Sequence, residues 1–109
     1  MNEVIKFIKA KDIKKNKIYS QLKCSNEEAK ILQYVIKEYI LGSDTLVVVD
    51  ILSEFFDLQK YEHLKKLSLI KNLLELGWLA QNNFNQIKLN EVSTLELLNS
   101  TVTLSSSFL

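Results

Sequence analysis

Apolar residues recur at three- and four-residue spacing in the middle of the chain, which is the spacing of one face of an α-helix. This stripe consists of Leu64, Leu67, Ile70 and Leu74. A second stripe beside it contains Leu69, Leu73 and Leu76. A helix that is apolar on two sides is packed between other elements instead of lying on a surface. Gly77 follows directly, where a left-handed residue commonly ends a helix.

The residues after Gly77 predict a β-hairpin. Trp78 and Leu79 begin a short extended segment, and three asparagines within 82–85 favour a turn, because asparagine tolerates positive φ. Residues 86–89 then alternate polar and apolar side chains, as a half-buried strand does. The stretch 61–89 therefore predicts a long helix followed by two short strands.

Helices are also predicted on the N-terminal side. Residues 2–11 form an amphipathic pattern with Val4, Ile5 and Ile8 on one side. Residues 12–23 resemble an irregular connection that Ile18, Tyr19 and Leu22 could pin to the core. A serine followed three residues later by a glutamate, as at Ser25, forms a capping box. It predicts a helix from there to Ile40, which Gly42 ends.

Two regions have mixed patterns. Three consecutive valines at 47–49 favour a strand, whereas apolar residues up to Phe56 continue a helical period, so we expect a very short strand at 45–46 and a helix over 47–56. Ser93 caps a further predicted helix, and 99–103 is predicted as turn or extended chain. The last residues look like another cap and apolar run, which suggests a continuing chain.

The length and the charge of the chain limit the classes of protein to which it can belong. A chain of 109 residues is expected to form one domain with a modest core, and its single cysteine fits a reducing cytoplasm. No apolar run reaches the roughly 20 residues that span a bilayer, so no transmembrane helix is expected, and no membrane is among the preferred partners. Residues 1–23 contain seven lysines and two acids, a net charge of +5, whereas the remainder carries −4. The predicted body is acidic and the leading arm is basic.

The sequence offers no catalytic constellation. Loops that bind phosphate through backbone amides need glycines. The two glycines of this chain, Gly42 and Gly77, are better explained as residues that end helices. His63 is the one histidine, so no zinc-ligand spacing exists. Cys24 precedes a helix N-terminus, which could lower its pKa, but no histidine base is near in sequence. We therefore predict no catalytic, metal or cofactor site in this chain.

Residues 25–89, with a helix ending in LLELGWL and a short polar hairpin, resemble winged helix-turn-helix domains. The predicted fold is mainly α with a small β-hairpin. The expected organisation is a basic N-terminal helix or arm at 1–23, a winged-helix domain at 24–98, and a linker beginning at 99–109. The predicted core consists of Leu32, Val35, Ile36, Tyr39, Leu52, Phe55, Leu67, Ile70, Leu74 and Trp78.

The winged-helix resemblance raises DNA binding as one function, because the third helix of such domains enters the major groove. The residues predicted to contact DNA are Lys60, His63, Lys65, Lys66, Lys71, Asn72 and the wing residue Lys88. Lysines could contact phosphates and Asn72 could contact adenine. An acidic body and the complete lack of arginine weaken this hypothesis.

Residues 86–109, ending in TLELLNSTVTLSSSFL, look like the junction between an N-terminal helical domain and an AAA-type ATPase module of some bacterial ATPases. That resemblance implies an accessory domain that recruits protein partners or substrates, with ATP binding in a C-terminal part. The preferred function is thus a non-catalytic protein-interaction domain, and a DNA-binding transcription regulator is the alternative.

The basic arm leaves three interpretations open. It could dock on the acidic body, bind nucleic acid, or bind an anionic membrane surface. Docking is preferred, because Val4, Ile5 and Ile8 are regularly placed and need somewhere to be buried.

Overall fold

The computed structural model describes residues 2–58, 60–81 and 97–105. The described helices are α1 (Asn2–Lys9), α2 (Lys17–Leu22), α3 (Asn26–Ile40), α4 (Val48–Ser53) and α5 (Leu67–Leu76), with short 3-10 helices at Ile13–Lys15 and Tyr61–Lys66. The described strands are β1 (Leu46–Val47), β2 (Leu79–Gln81) and β3 (Thr101–Leu104). The chain is mainly helical with a small antiparallel sheet, which confirms the predicted structural class.

The strands form one sheet in the order β1-β3-β2, with β3 antiparallel to both neighbours. The register places Leu46 opposite Val102 and Leu79 opposite Leu104. Val102 and Leu104 are buried, while the two threonines of β3 are half-buried, so the strand shows the alternation of a sheet with one covered face.

Strand β2 pairs with β3, a partner that the sequence did not predict. The predicted hairpin strand 86–89 and the helix predicted from Ser93 lie outside the described residues, apart from the helical residues 97–98. Residues 101–104, predicted as extended chain within a linker, are instead the centre of the sheet. Their TVTL pattern combines β-branched residues with period-two alternation, a strand signal that was too short to outweigh the hairpin pattern before it.

Helix α3 lies at the centre of the fold and contacts α1, α4, α5 and β3. Its N-terminus is closed by the predicted capping box: the Ser25 hydroxyl accepts from the Glu28 amide at 3.2 Å, and the Glu28 carboxylate accepts from the Ser25 amide at 2.9 Å. These two bonds satisfy backbone donors that a helix end leaves without partners. The sequence assignment of this helix is confirmed at both ends.

The core is built from every helix and from the sheet. Its buried apolar residues are Phe7, Ile13, Leu22, Ala29, Ile31, Leu32, Val35, Ile36, Val48, Ile51, Leu52, Leu67, Ile70, Leu73, Leu79, Leu97, Val102 and Leu104. Six predicted core residues are in that set, and Tyr39, Leu74 and Trp78 pack against it half-buried. Phe55 does not belong to it, since its side chain is 37% exposed. Helix α4 ends at Ser53, three residues before its predicted end, so Phe55 leaves the buried helical face.

The N-terminal segment docks on α3, which confirms the preferred interpretation of the basic arm. Phe7 is 0% exposed, and the Gln33 amide nitrogen donates to the carbonyl oxygens of Phe7 at 2.7 Å and Ala10 at 3.0 Å. The expected contact face was partly wrong, because Ile5 is 40% exposed and Phe7 is the residue that enters the core.

Residues 12–23 are more regular than predicted. The Asp12 side chain caps the 3-10 helix by accepting from the Lys14 amide, and the Asn16 side chain caps α2 by accepting from the Ile18 amide. Both caps are side chains that favour helix N-termini. Leu22 is buried as expected, and its carbonyl oxygen accepts from the Trp78 indole nitrogen at 2.8 Å.

The third predicted helix is divided. Its first part, Tyr61–Lys66, is 3-10, and its second part is α5. Gly77 ends α5 with φ +84°, the left-handed conformation expected for a glycine stop. The Trp78 amide then donates to the Leu73 carbonyl at 3.1 Å and turns the chain into β2.

Replacing Phe7 tests whether the N-terminal segment is part of the core. We expect Phe7→Ala to lower the free energy of unfolding by about 3–5 kcal/mol, because it removes a fully buried ring. Ile5→Ala, on the same helix but exposed, should change it by no more than about 0.5 kcal/mol. Urea denaturation followed by circular dichroism measures both. An unchanged midpoint for Phe7→Ala would contradict docking.

Replacing Gly77 tests the left-handed helix stop. A Cβ at this position meets no atom within 4 Å, so the cost of a side chain is backbone strain alone. We expect Gly77→Val to destabilise by roughly 1–2 kcal/mol, and Gly77→Asn to cost less, since asparagine adopts this conformation more readily. Equal thermal midpoints for the two variants would refute the strain argument.

Candidate interaction surfaces

Several side chains that were predicted to contact DNA instead contact other residues of the protein. The Lys66 ammonium lies 3.2 Å from the Glu27 carboxylate and 5.4 Å from the centre of the Phe56 ring. A partly exposed ion pair contributes about 0–1 kcal/mol, so its main effect is to hold the lysine in place. The His63 ring nitrogen Nδ1 lies 2.9 Å from the Asp57 carbonyl oxygen, and the ring packs against Phe56. Lys66 and His63 therefore belong to the packing of the segment before α5.

The Asn72 side chain also has a hydrogen-bond partner within the protein. Its amide nitrogen donates to the carboxylate of Glu28, which is only 4% exposed and also accepts from the Ser25 amide. Burying a carboxylate is costly unless hydrogen bonds replace the lost water. The Asn72 side chain supplies one of these bonds, so using it to contact adenine would remove a partner from a buried charge.

An open groove of about 620 Å³ runs between the N-terminus of α3 and the outer face of α5. It is lined by Ser25, Glu27, Glu28, Ser68, Leu69, Lys71, Asn72 and Glu75. Its lining carries three carboxylates and one lysine, and although Lys66 pairs with Glu27 the charge beside α5 stays net negative. Because phosphate attraction supplies most non-specific affinity for DNA, this groove is electrostatically unfavourable for it.

The other predicted DNA contacts are dispersed. Lys60 and Lys65 are exposed on the segment before α5, and Lys71 lies in the groove. Lys88 lies outside the described residues. The structure thus brings Lys71 and Asn72 together but places them beside acids.

A second surface lies where α3 and α4 meet, and its residues are not among the site residues predicted from the sequence. We define the α3–α4 surface as Tyr34, Glu38, Leu41, Asp50, Glu54 and Phe55. The rings of Tyr34 and Phe55 meet edge to face, with 5.7 Å between their centres. Leu41 is 70% exposed, and it follows Tyr34 and Glu38 on one helical face.

The α3–α4 surface is acidic around its aromatic pair. Partial burial raises the pKa of the Tyr34 hydroxyl above its ordinary value of 10.0, and the carboxylates of Glu38, Glu54 and Asp50 raise it further. Carboxylates that raise the pKa of one hydroxyl must lie close to that hydroxyl. A sequence signal was present, because Tyr34 and Glu38, and likewise Asp50 and Glu54, are four residues apart on their helices. Only the packing of α3 on α4 brings the two pairs together.

Cys24 is not activated by the helix that follows it. Burial, and then the carboxylate of Glu28, raise the pKa of its thiol from 9.0 to about 11. This is opposite to the lowering that a helix N-terminus could produce, because the thiol is partly buried and a negative charge occupies that N-terminus. At neutral pH Cys24 is a thiol, which is the unreactive form.

Two further observations concern the described residues only. No group of three histidine, cysteine, aspartate or glutamate side chains is placed to hold a metal ion in the described ranges. In the same part of the chain, every helix is too short or too polar for a bilayer span.

No protein-family model, no curated protein and no solved structure matches this chain.

Thiol reactivity tests the environment of Cys24. At pH 8 the native chain should contain about 100-fold less thiolate than a cysteine of pKa 9.0, since each pKa unit is a factor of ten. Alkylation by iodoacetamide should therefore be correspondingly slower in the native chain than in the same chain unfolded in urea. Equal rates in the two states would show that neither burial nor Glu28 acts on the thiol.

Proposed function

We propose that this chain is a non-catalytic protein-interaction domain whose α3–α4 surface binds a basic segment of a partner protein. The observation that carries the proposal is the contact of the exposed Phe55 ring with Tyr34, whose hydroxyl lies near three carboxylates, together with the exposed Leu41 three residues after Glu38. Aromatic residues contribute a large share of binding energy at protein interfaces. Surrounding charge determines which partners approach and in what orientation.

The geometry of Phe55 supports this role. Its side chain is 37% exposed, and its ring contacts the Tyr34 ring at an angle of 87° between the ring planes. A side chain that is already ordered loses less conformational freedom when a partner covers it. Glu38, Asp50 and Glu54 then favour a partner segment with lysine or arginine beside its apolar residues, and they disfavour phosphate groups.

A winged-helix fold is part of the proposal. The succession α3, β1, α4, α5, β2 and β3 and the antiparallel pairing of β2 with β3 support it. The function of an accessory domain in an AAA-type ATPase stays a prediction from the tail sequence, and part of that tail, β3, is used inside this fold. DNA binding through α5 also stays a prediction, with the acidic groove weighing against it.

A defined peptide tests the surface. The probe is a fluorescein-labelled 12-residue peptide of alternating arginine and leucine, and binding is measured by fluorescence anisotropy. We expect Phe55→Ala, and separately the pair Glu38→Gln with Glu54→Gln, to weaken binding about tenfold or more, which is the size of a hot-spot loss. All three side chains lie at the surface, so circular dichroism should show an intact fold.

The matched control removes two carboxylates elsewhere. Glu27→Gln with Glu75→Gln changes the groove by the same charge and should leave peptide affinity within about twofold, because surface charges far from a contact act weakly at physiological salt. Equal losses for both pairs would indicate non-specific attraction and overturn the proposal. An acidic peptide of alternating glutamate and leucine should not bind, and tight binding of it would overturn the proposal as well.

A further inference from the structure

The basic residues of the N-terminal segment form a pocket that the proposed function does not use. A cavity of about 180 Å³ is lined by Lys6, Lys15, Asn16 and Lys17. Lys6 comes from α1, and the other three residues join the first 3-10 helix to α2. The contact between α1 and α2 brings these parts of the segment together, and the buried side chains of Phe7, Ile13 and Leu22 fix them on the body. We name these four residues the basic pocket.

Among the described side chains, no carboxylate forms an ion pair with a lysine of the basic pocket. Lys6, Lys15 and Lys17 are exposed. Like charges gathered around one cavity repel one another, and an anion entering it would relieve that repulsion. Lys66 differs from these three lysines, because its ammonium group is paired with the carboxylate of Glu27.

Asn16 adds a neutral donor to the basic pocket. Its side-chain oxygen accepts from the Ile18 amide at 2.8 Å. The amide nitrogen of the same side chain has no hydrogen-bond partner among the described residues, so it can donate to an oxygen of a bound anion. Three ammonium groups and one amide form a donor set suited to phosphate oxygens, because lysine binds phosphate as a point charge.

We propose that the basic pocket and the lysines around it bind the phosphate backbone of nucleic acid, without regard to base sequence. Four further lysines, Lys9, Lys11, Lys14 and Lys23, are exposed on the same segment. Their spread beyond one cavity fits an extended polyanion better than a single phosphate ion.

The burial of the segment's apolar residues distinguishes nucleic acid from a membrane surface. An amphipathic helix binds a bilayer by inserting its apolar face. Phe7, Ile13 and Leu22 are directed into the core and are unavailable for insertion, which leaves Ile5 as the exposed large apolar side chain among those described in the segment.

The same burial indicates how nucleic acid would be bound. Phe7 is buried and Tyr19 packs against the core, so the segment presents no stacking platform for bases. Binding then depends on backbone charge, which is denser in a duplex than in a single strand. We therefore expect a duplex to bind more tightly than a single strand of the same length.

The test measures anisotropy of a fluorescein-labelled 20-base-pair duplex with the full 109-residue chain over a salt series. The first variant carries Lys6→Gln, Lys15→Gln and Lys17→Gln. It should weaken binding about tenfold or more at low salt and reduce the slope of log affinity against log salt by roughly 2–3, since each phosphate contact contributes about 0.9. The matched variant carries Lys60→Gln, Lys65→Gln and Lys71→Gln and removes the same charge from the predicted DNA-binding segment. It should leave affinity within about threefold and the slope nearly unchanged.

The other possible outcomes either support or overturn the binding of nucleic acid by the basic pocket. Absence of duplex binding by the wild-type chain at low salt would overturn it, as would a larger loss in the Lys60, Lys65 and Lys71 variant. Binding to phosphatidylserine vesicles without binding to the duplex would overturn it in favour of a membrane surface. Amide shifts in wild-type protein titrated with the duplex provide a measurement without variants, and they should concentrate in residues 6–17. The α3–α4 surface is not involved, so failure here leaves the peptide-binding proposal intact.

Discussion

The buried carboxylate of Glu28 is the constraint around which the centre of this fold is arranged. A charged group that is withdrawn from water must be surrounded by donors, and here the donors come from the first turn of α3 and from Asn72 of α5. One side chain thereby closes the start of the central helix and fixes α5 beside it. The same charge opposes ionisation of Cys24. The cap and the packing of two helices thus have a common origin, and the same charge adds to the effect of burial on the thiol.

Charge is distributed between separate parts of the surface. The lysine-rich segment before α3 supplies the positive part, whereas α3, α4 and α5 carry the carboxylates of the groove and of the α3–α4 surface. A net charge of +1 for the whole chain conceals this separation. Two ligands of opposite charge could therefore approach different parts of the domain without competing for one site.

Local chemistry determined which elements the sequence could predict. The capping box at Ser25 and the glycine stop at Gly77 depend on neighbouring residues only, and both are confirmed. The strand β3 depends on pairing with residues 21 and more positions away, so its four residues alone carried a weak signal. The burial of Phe7 depends likewise on where α1 meets α3, because the pattern along the helix fitted Ile5 as well.

The candidate surfaces were harder to predict than the fold, for a related reason. Residue type singled out lysines near α5, but their availability depends on partners such as Glu27, which is 39 positions from Lys66. The α3–α4 surface combines residues that are individually unremarkable in sequence. The uneven charge of the chain was visible from the start, whereas the cavity formed by Lys6, Lys15 and Lys17 required the fold of α1 against α2.

The central position of β3 has a consequence for biosynthesis. In the described sheet, β1 and β2 are each joined to β3 and not to one another. While the chain emerges from the ribosome, both of these earlier strands must wait for a segment made after some hundred residues. The helices can assemble from local contacts before then, but their sheet-side apolar residues stay uncovered until β3 arrives. Sheet closure is thus a late event, and the interval before it is when a nascent chain is most in need of a chaperone.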